Sequence, residues 1–118
     1  MKIDKADSTF SLYIRTRDKW TCQRCHTVYT PPTSGLHCSH YFGRGRESTR
    51  FEPDNCIALC FGCHRLWGHG DQRDSYKEFM IDWLGQRRFD TLTIQAHTYA
   101  KKNRKMSLII AKELLNGN

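Results

Sequence analysis

The amino-acid sequence predicts an α+β fold, and three observations carry that prediction. Two short runs of strand character, "LHCSHYF" (36–42) and "NCIAL" (55–59), lie in the middle of the chain. Helical patterns stand on both sides of them. Two Cys-x-x-Cys pairs stand outside them, Cys22 with Cys25 before the first run and Cys60 with Cys63 after the second.

A length of 118 residues suits one domain with a single modest core. A hydrophobic content of 38% is enough to fold rather than stay disordered. No apolar run approaches the roughly 18 residues of a membrane span. The start, "MKIDKADSTF", lacks the apolar centre of a secretion signal. The expectation is a cytoplasmic protein with no membrane partner.

The elements follow in order. "DSTFSLYIRTRD" (7–18) places Phe10, Tyr13, Ile14 and Arg17 at helical spacing, with Asp7 or Ser8 as N-cap. A knuckle, "WTCQRCH" (20–26), leads through the turn-rich "TPPTSG" (30–35) into the first strand. "GRGRESTR" (43–50) reads as a flexible basic loop. The second strand runs into "CFGCHRLW", and Gly68 and Gly70 break the chain. "DSYKEFMIDWLG" (74–85) is the clearest helix. Asp74 or Ser75 caps it, Tyr76, Phe79, Met80, Trp83 and Leu84 form its buried stripe, and Gly85 stops it. Another helix covers part of 90–102. The last, "SLIIAKELL" (107–115), has Ser107 as cap and Gly117 as stop. The domain 1–118 thus divides into a core of about 20–70 and a helical extension of about 74–116.

Paired Cys-x-x-Cys turns in a reducing compartment read as metal ligands rather than disulfides. Cys22, Cys25, Cys60 and Cys63 supply four thiolates for one tetrahedral Zn2+ with sulfur about 2.3 Å away. Four thiolates leave no position for water, so this zinc is structural. Cys38 and Cys56 are left over as small buried side chains.

With those thiolates assigned, His40, Asn55 and His64 stand out. They fall on the first strand, the second strand and the start of a helix, around the second zinc pair. In this the chain resembles the HNH, or ββα-metal (His-Me finger), endonucleases, and "RDKWTCQRC" followed by "LCFGCH" resembles their zinc-braced members. The resemblance implies a ββα-metal core braced by the four-Cys zinc, with flanking N-terminal and C-terminal helices. It implies that His40 activates water, that Asn55 orients His40, and that His64 binds one catalytic divalent ion. The chemistry suits the residue types, since phosphodiester hydrolysis needs a base of near-neutral pKa and charge stabilisation at the phosphate. Where many members carry an acidic metal ligand directly before the first His, this chain has Ser39. His37 and His69 are the candidate helpers. Mg2+ or Mn2+ is the expected ion, and a set without carboxylates also admits nickel or cobalt.

Over about residues 20–115 the chain is similar to the phage NinG (Rap) recombination nucleases. The similarity is carried by "HCSHYFGRGRESTRFEPDNCIALCFGCHRLWGHG", the helix "YKEFMIDWLG" and basic C-terminal helices. It implies cleavage of branched DNA such as D-loops and Holliday junctions, in a bacterial host cell.

The formal charge of +7 and pI near 9.3 suit a polyanionic partner. Arg44, Arg46 and Arg50 in the basic loop, Arg65 after the metal ligand, and Lys101, Lys102, Arg104 and Lys105 in "KKNRK" are the expected DNA contacts. Phosphate contacts carry no sequence information, so shape recognition is expected. Two cuts at a junction favour a homodimer through the C-terminal helices. The competing readings are a non-catalytic zinc-ribbon module that binds nucleic acid and an HNH nicking or restriction-like enzyme acting on linear duplex.

Overall fold

The computed structural model describes residues 4–117, so residues 1–3 and 118 of the expected single domain lie outside the described residues. It is an α+β arrangement of a two-stranded antiparallel sheet and six helices. Helix α1 spans Lys5–Arg17. Its cap is Asp4, not Asp7 or Ser8. The Asp4 carboxylate accepts from the Asp7 backbone at 2.9 Å, and Asp7 returns the bond to the Asp4 backbone at 3.2 Å. This reciprocal pair satisfies two of the orphan amides that any helix start leaves. Asp7 therefore sits inside the first turn, where its charge also suits the helix dipole.

Strands β1 (Leu36–His40) and β2 (Cys56–Cys60) pair in register Leu36↔Cys60 through His40↔Cys56. Four of the five β2 residues are buried, because the hairpin is covered on both faces. One layer is α1 with the last helix, where Phe10, Ile14, Cys56 and Ala111 meet. The other holds Ile57, Leu59, Trp67, Tyr76, Met80, Leu84, Phe89 and Leu92. The free edge of β2 is closed by the end of α1. Asp18 Oδ2 accepts from Ala58 N at 2.8 Å, and Arg17 donates to Cys56 O at 2.6 Å. The edge therefore offers little backbone to another strand.

The segment between the strands is not the flexible loop expected. It contains a short helix, α2 (Glu47–Arg50), and then a 3-10 turn, Pro53–Asn55. Asn55 closes that turn and stands just before β2 rather than on it. Helix α3 (Phe61–His64) begins directly after β2 and widens into a π turn over Arg65–His69. Helix α4 is Arg73–Leu84, preceded by Gln72 rather than capped by Asp74 or Ser75. Its buried stripe is Tyr76, Met80 and Leu84, narrower than expected, because Trp83 faces outward under the Arg17 guanidinium at 5.0 Å.

Gly85, at φ 81, joins α4 to α5 (Gln86–Ala96) without a loop. Only glycine takes this conformation without a Cβ penalty. Helix α5 thus starts earlier than the 90–102 segment suggested. Helix α6 runs Arg104–Asn116 and packs along α1. Its cap is Asn103, whose side chain accepts from Met106 N at 3.0 Å, so the helix begins three residues before the expected Ser107 start. Among the described residues no helix is long and apolar enough to cross a membrane.

Candidate metal centre and imidazole-lined cleft

The first Cys pair is held in a knuckle closed by a Thr21–Val28 bridge and by Cys22 N donating to Thr27 O at 2.9 Å. Gln23 N donates to Ala58 O at 2.9 Å, which docks the knuckle on β2. The second pair spans the end of β2 and the first turn of α3. The four sulfurs of Cys22, Cys25, Cys60 and Cys63 then lie within 4.8 Å of one another, with Cys25 and Cys60 3.8 Å apart. A tetrahedron with bonds of about 2.3 Å has edges of about 3.8 Å, so a metal such as zinc fits this set. Burial pushes the Cys63 thiol up to about 12, while the Thr27 hydroxyl bond takes Cys25 down to about 6. Loading the set therefore releases protons. Arg24 donates to Cys63 Sγ at 3.4 Å, placing one positive charge beside four negative ligands.

A cleft of about 460 Å³ opens beside the hairpin, lined by His40, Arg44, His64, His69 and Arg73 among others. A neighbouring cleft of about 310 Å³ shares His40, Arg44 and His64 and adds His37 and Asp7. His40 ends β1, and its Nε2 lies 2.8 Å from Arg50 O. A carbonyl only accepts, so Nε2 carries the proton and Nδ1 keeps its lone pair. Burial holds the imidazolium of His40 below its ordinary pKa, outweighing the Arg50 carbonyl. Near pH 7 the ring is a neutral base.

Asn55 is fully buried, and its side-chain hydrogen bonds go to the backbone rather than to that ring. Its Oδ1 accepts from Phe42 N at 2.8 Å, and its Nδ2 donates to Phe42 O at 2.9 Å and Thr49 O at 3.2 Å. Phe42 lies two residues past His40, and Thr49 precedes the residue whose carbonyl holds His40. Asn55 thus clamps both ends of the connecting segment and positions His40 through the backbone.

His64 ends α3. It stacks on His37 at 5.4 Å between centroids and meets His69 edge-on at 5.1 Å. Burial, with the neighbouring His37, His69 and His40, takes it down to about 4. Its Nδ1 is buried with no hydrogen-bond partner among the described residues. An orphan of that kind costs about 1–3 kcal/mol, so water or a metal ion is its natural complement. Gly68 makes room for the ring, since a Cβ there would lie 3.3 Å from it. Among the described residues the imidazoles of His37, His64 and His69 form no set of three converging ligand atoms, so His64 would hold an ion with fewer than three protein ligands. Ser39 contributes nothing to the cleft. It is buried, and its Oγ lies 2.9 Å from Tyr76 Oη on the core side. The one carboxylate lining either cleft, Asp7, is held by Arg50.

The expected DNA contacts divide into two groups. Arg44 lines both clefts, and Arg46, Arg65, Lys101, Lys102 and Lys105 are half-buried or exposed. Arg50 and Arg104 correct the expectation. Arg50 is 4% exposed, and its guanidinium bonds Asp7 at 2.9 and 2.5 Å. Arg104 bonds Glu47 at 2.6 and 2.8 Å, with its Nε 2.6 Å from Asp4. Both join α1 to α2 or α6 and are committed to carboxylates instead of phosphate. Arg73 went unnoticed in the sequence. It donates to Tyr41 O at 2.9 Å and Trp67 O at 3.1 Å, lies over the Tyr41 ring at 4.7 Å, and lines the larger cleft. Its place just after two glycines was the available signal.

No family model, no curated protein and no solved structure matches this chain.

Proposed function

We propose that the protein is a metal-dependent DNA endonuclease with an HNH-type ββα-metal core, in which His40 is the general base. The observation that carries this reading is the shared cleft of His40 and His64. One presents a neutral nitrogen with a fixed tautomer, and the other a buried nitrogen that no group among the described residues satisfies.

In this account His40 Nδ1 takes the proton of a water as that water attacks the phosphorus. The Nε2–H bond to Arg50 O keeps the ring aimed and stabilises the imidazolium that forms. Arg44 and Arg73 supply positive charge at the cleft for the flanking phosphates. A divalent ion held by His64, with His37 or His69 as helpers, supplies charge stabilisation to the scissile phosphate and the departing oxygen. Magnesium or manganese is the first choice. The absence of an available carboxylate beside His64 also favours ions that accept imidazole readily. Zinc in the four-sulfur set braces β2 and α3, which carry the metal ligand.

Charge and resemblance together support branched DNA as substrate, a homodimer as the working form and the cytoplasm as its place. A zinc-ribbon binding module accounts for the four sulfurs and the net charge. It gives no role to the Asn55 clamp or to the unsatisfied His64 nitrogen.

The test is cleavage of a labelled four-way junction and a linear duplex of equal sequence. Magnesium, manganese, nickel and cobalt are each added to metal-stripped buffer. Ion-dependent cutting with preference for the junction is expected. Tight binding with no cutting under any of the four ions leaves the zinc-ribbon module instead.

A further inference from the structure

Cys38 and Cys56 are not accounted for by the four-sulfur set or by the cleavage chemistry. They face the same side of the hairpin as His40, because His40 pairs with Cys56 in register and Cys38 lies two residues before it. One ligand atom from each of Cys38, His40 and Cys56 falls within 4.8 Å of the others, a limit that the four-cysteine cluster also meets. We propose that these three residues form a second site for a thiophilic divalent ion of the zinc class, and that occupation of this site shuts off the nuclease by capturing His40.

Three features of the surroundings support it. Cys38 and His40 line both clefts, so an ion can reach them from solvent, while Cys56 closes the back of the site and is fully buried. The Arg50 carbonyl occupies His40 Nε2, leaving Nδ1 as the metal-binding atom, the same atom that takes the proton in the proposed reaction. Arg17 donates to Cys56 O at 2.6 Å, and the charges of Arg17 and Arg15 act on Cys56 and Cys38 respectively. Positive charge on that flank offsets two thiolates brought together.

The balance of the binding step is simple. The ion displaces one proton from each thiol to solvent and takes the unshared pair of a neutral imidazole. Two thiolates would cancel the charge of the cation, and three protein ligands would leave the fourth tetrahedral position for water. The set offers three protein ligands where the cysteine cluster offers four, so it is the weaker of the two. A weak site filled only when free zinc rises is a brake rather than a brace. Soft ligands also discriminate here, since magnesium and manganese prefer oxygen and would leave this set alone.

The inhibitory consequence rests on the nuclease reading, whereas occupation of the site does not. The reduced full-length protein carrying one equivalent of zinc is titrated with cobalt, and with zinc against a chromophoric chelator. Wild type is expected to take up a second equivalent with thiolate-to-cobalt absorption. Cys38→Ala, which alters a half-buried side chain and leaves the four-sulfur set intact, is expected to keep the first equivalent. It should weaken the second by more than the roughly 10–100-fold that even outer-shell partners of a metal contribute. His40→Ala should weaken it likewise. In the cleavage assay with magnesium or manganese, added zinc should inhibit wild type and spare Cys38→Ala. The absence of a second equivalent in wild type overturns the site, as does a second equivalent that survives in Cys38→Ala. A second equivalent lost in Cys38→Ala supports the site even where wild type cuts no DNA, an outcome that counts against the nuclease alone.

Discussion

At the scale of single residues, the site depends on how little each side chain is free to do. His40 has one nitrogen engaged by a backbone carbonyl and the other outside that bond. Asn55 spends three hydrogen bonds on the backbone on either side of it. Asn55→Ala removes all three and strands buried polar groups at Phe42 and Thr49. The expected loss is about 2–4 kcal/mol of stability, read by urea unfolding, with a further loss of cleavage when folded protein is compared. A variant as stable as wild type would show that Asn55 is no clamp. The order of His40, Asn55 and His64 around the second Cys pair is a local pattern that the sequence displays, and the structure puts His40 and His64 on one cleft. Asn55 was misplaced by one element, and its action through the backbone was not legible, since the residues it holds are set by tertiary contacts. Arg50 and Arg104 were misread for the same reason. Their carboxylate partners Asp7 and Glu47 lie 43 and 57 residues away, and a charge run in sequence says nothing of such pairs.

At the scale of elements, helices with strong apolar periodicity were visible and the short α2 was not. α1 and α4 were found with boundaries within a few residues. α2 was read as a loop because four residues carry no periodicity; in the fold it carries Arg50 onto Asp7 of α1. Burial alone would raise the Asp7 carboxyl, but the Arg50 guanidinium outweighs it and holds the group below its ordinary value. A carboxyl depressed in the folded state stabilises above its unfolded pKa of about 3.9, and that contribution is lost as pH falls through the lower folded value. Asp7→Asn leaves a buried guanidinium without its counter-charge, at an expected cost of about 3–5 kcal/mol at pH 7. The gap between wild type and Asp7→Asn in urea melts should narrow below pH 4. A gap that stays constant there would mean the ion pair carries no stability.

At the scale of the whole molecule, the hairpin is a thin layer between two helical layers, and the four-sulfur set brings its far end together with the knuckle. The +7 charge is then divided between cations that build the fold and cations left for a polyanion. Lys101, Lys102 and Lys105 belong to the second group and Arg104 to the first. Replacing each lysine by Ala should lower the log–log salt dependence of DNA binding by about 0.9 for every phosphate that its ammonium neutralised, with no change in melting. Arg104→Ala should instead lower the melting temperature by releasing Glu47 and Asp4. The reverse pattern, lysines that matter for folding and Arg104 for DNA, would contradict this division. The central claim concerns chemistry, and one comparison reaches it most directly. Wild type and His40→Ala, matched for zinc content and for junction affinity, are assayed for cleavage of a labelled four-way junction with manganese. The account predicts cutting by wild type and none by His40→Ala, with binding unchanged. Equal cutting by the two proteins would contradict His40 as the base and with it the proposed catalytic cleft.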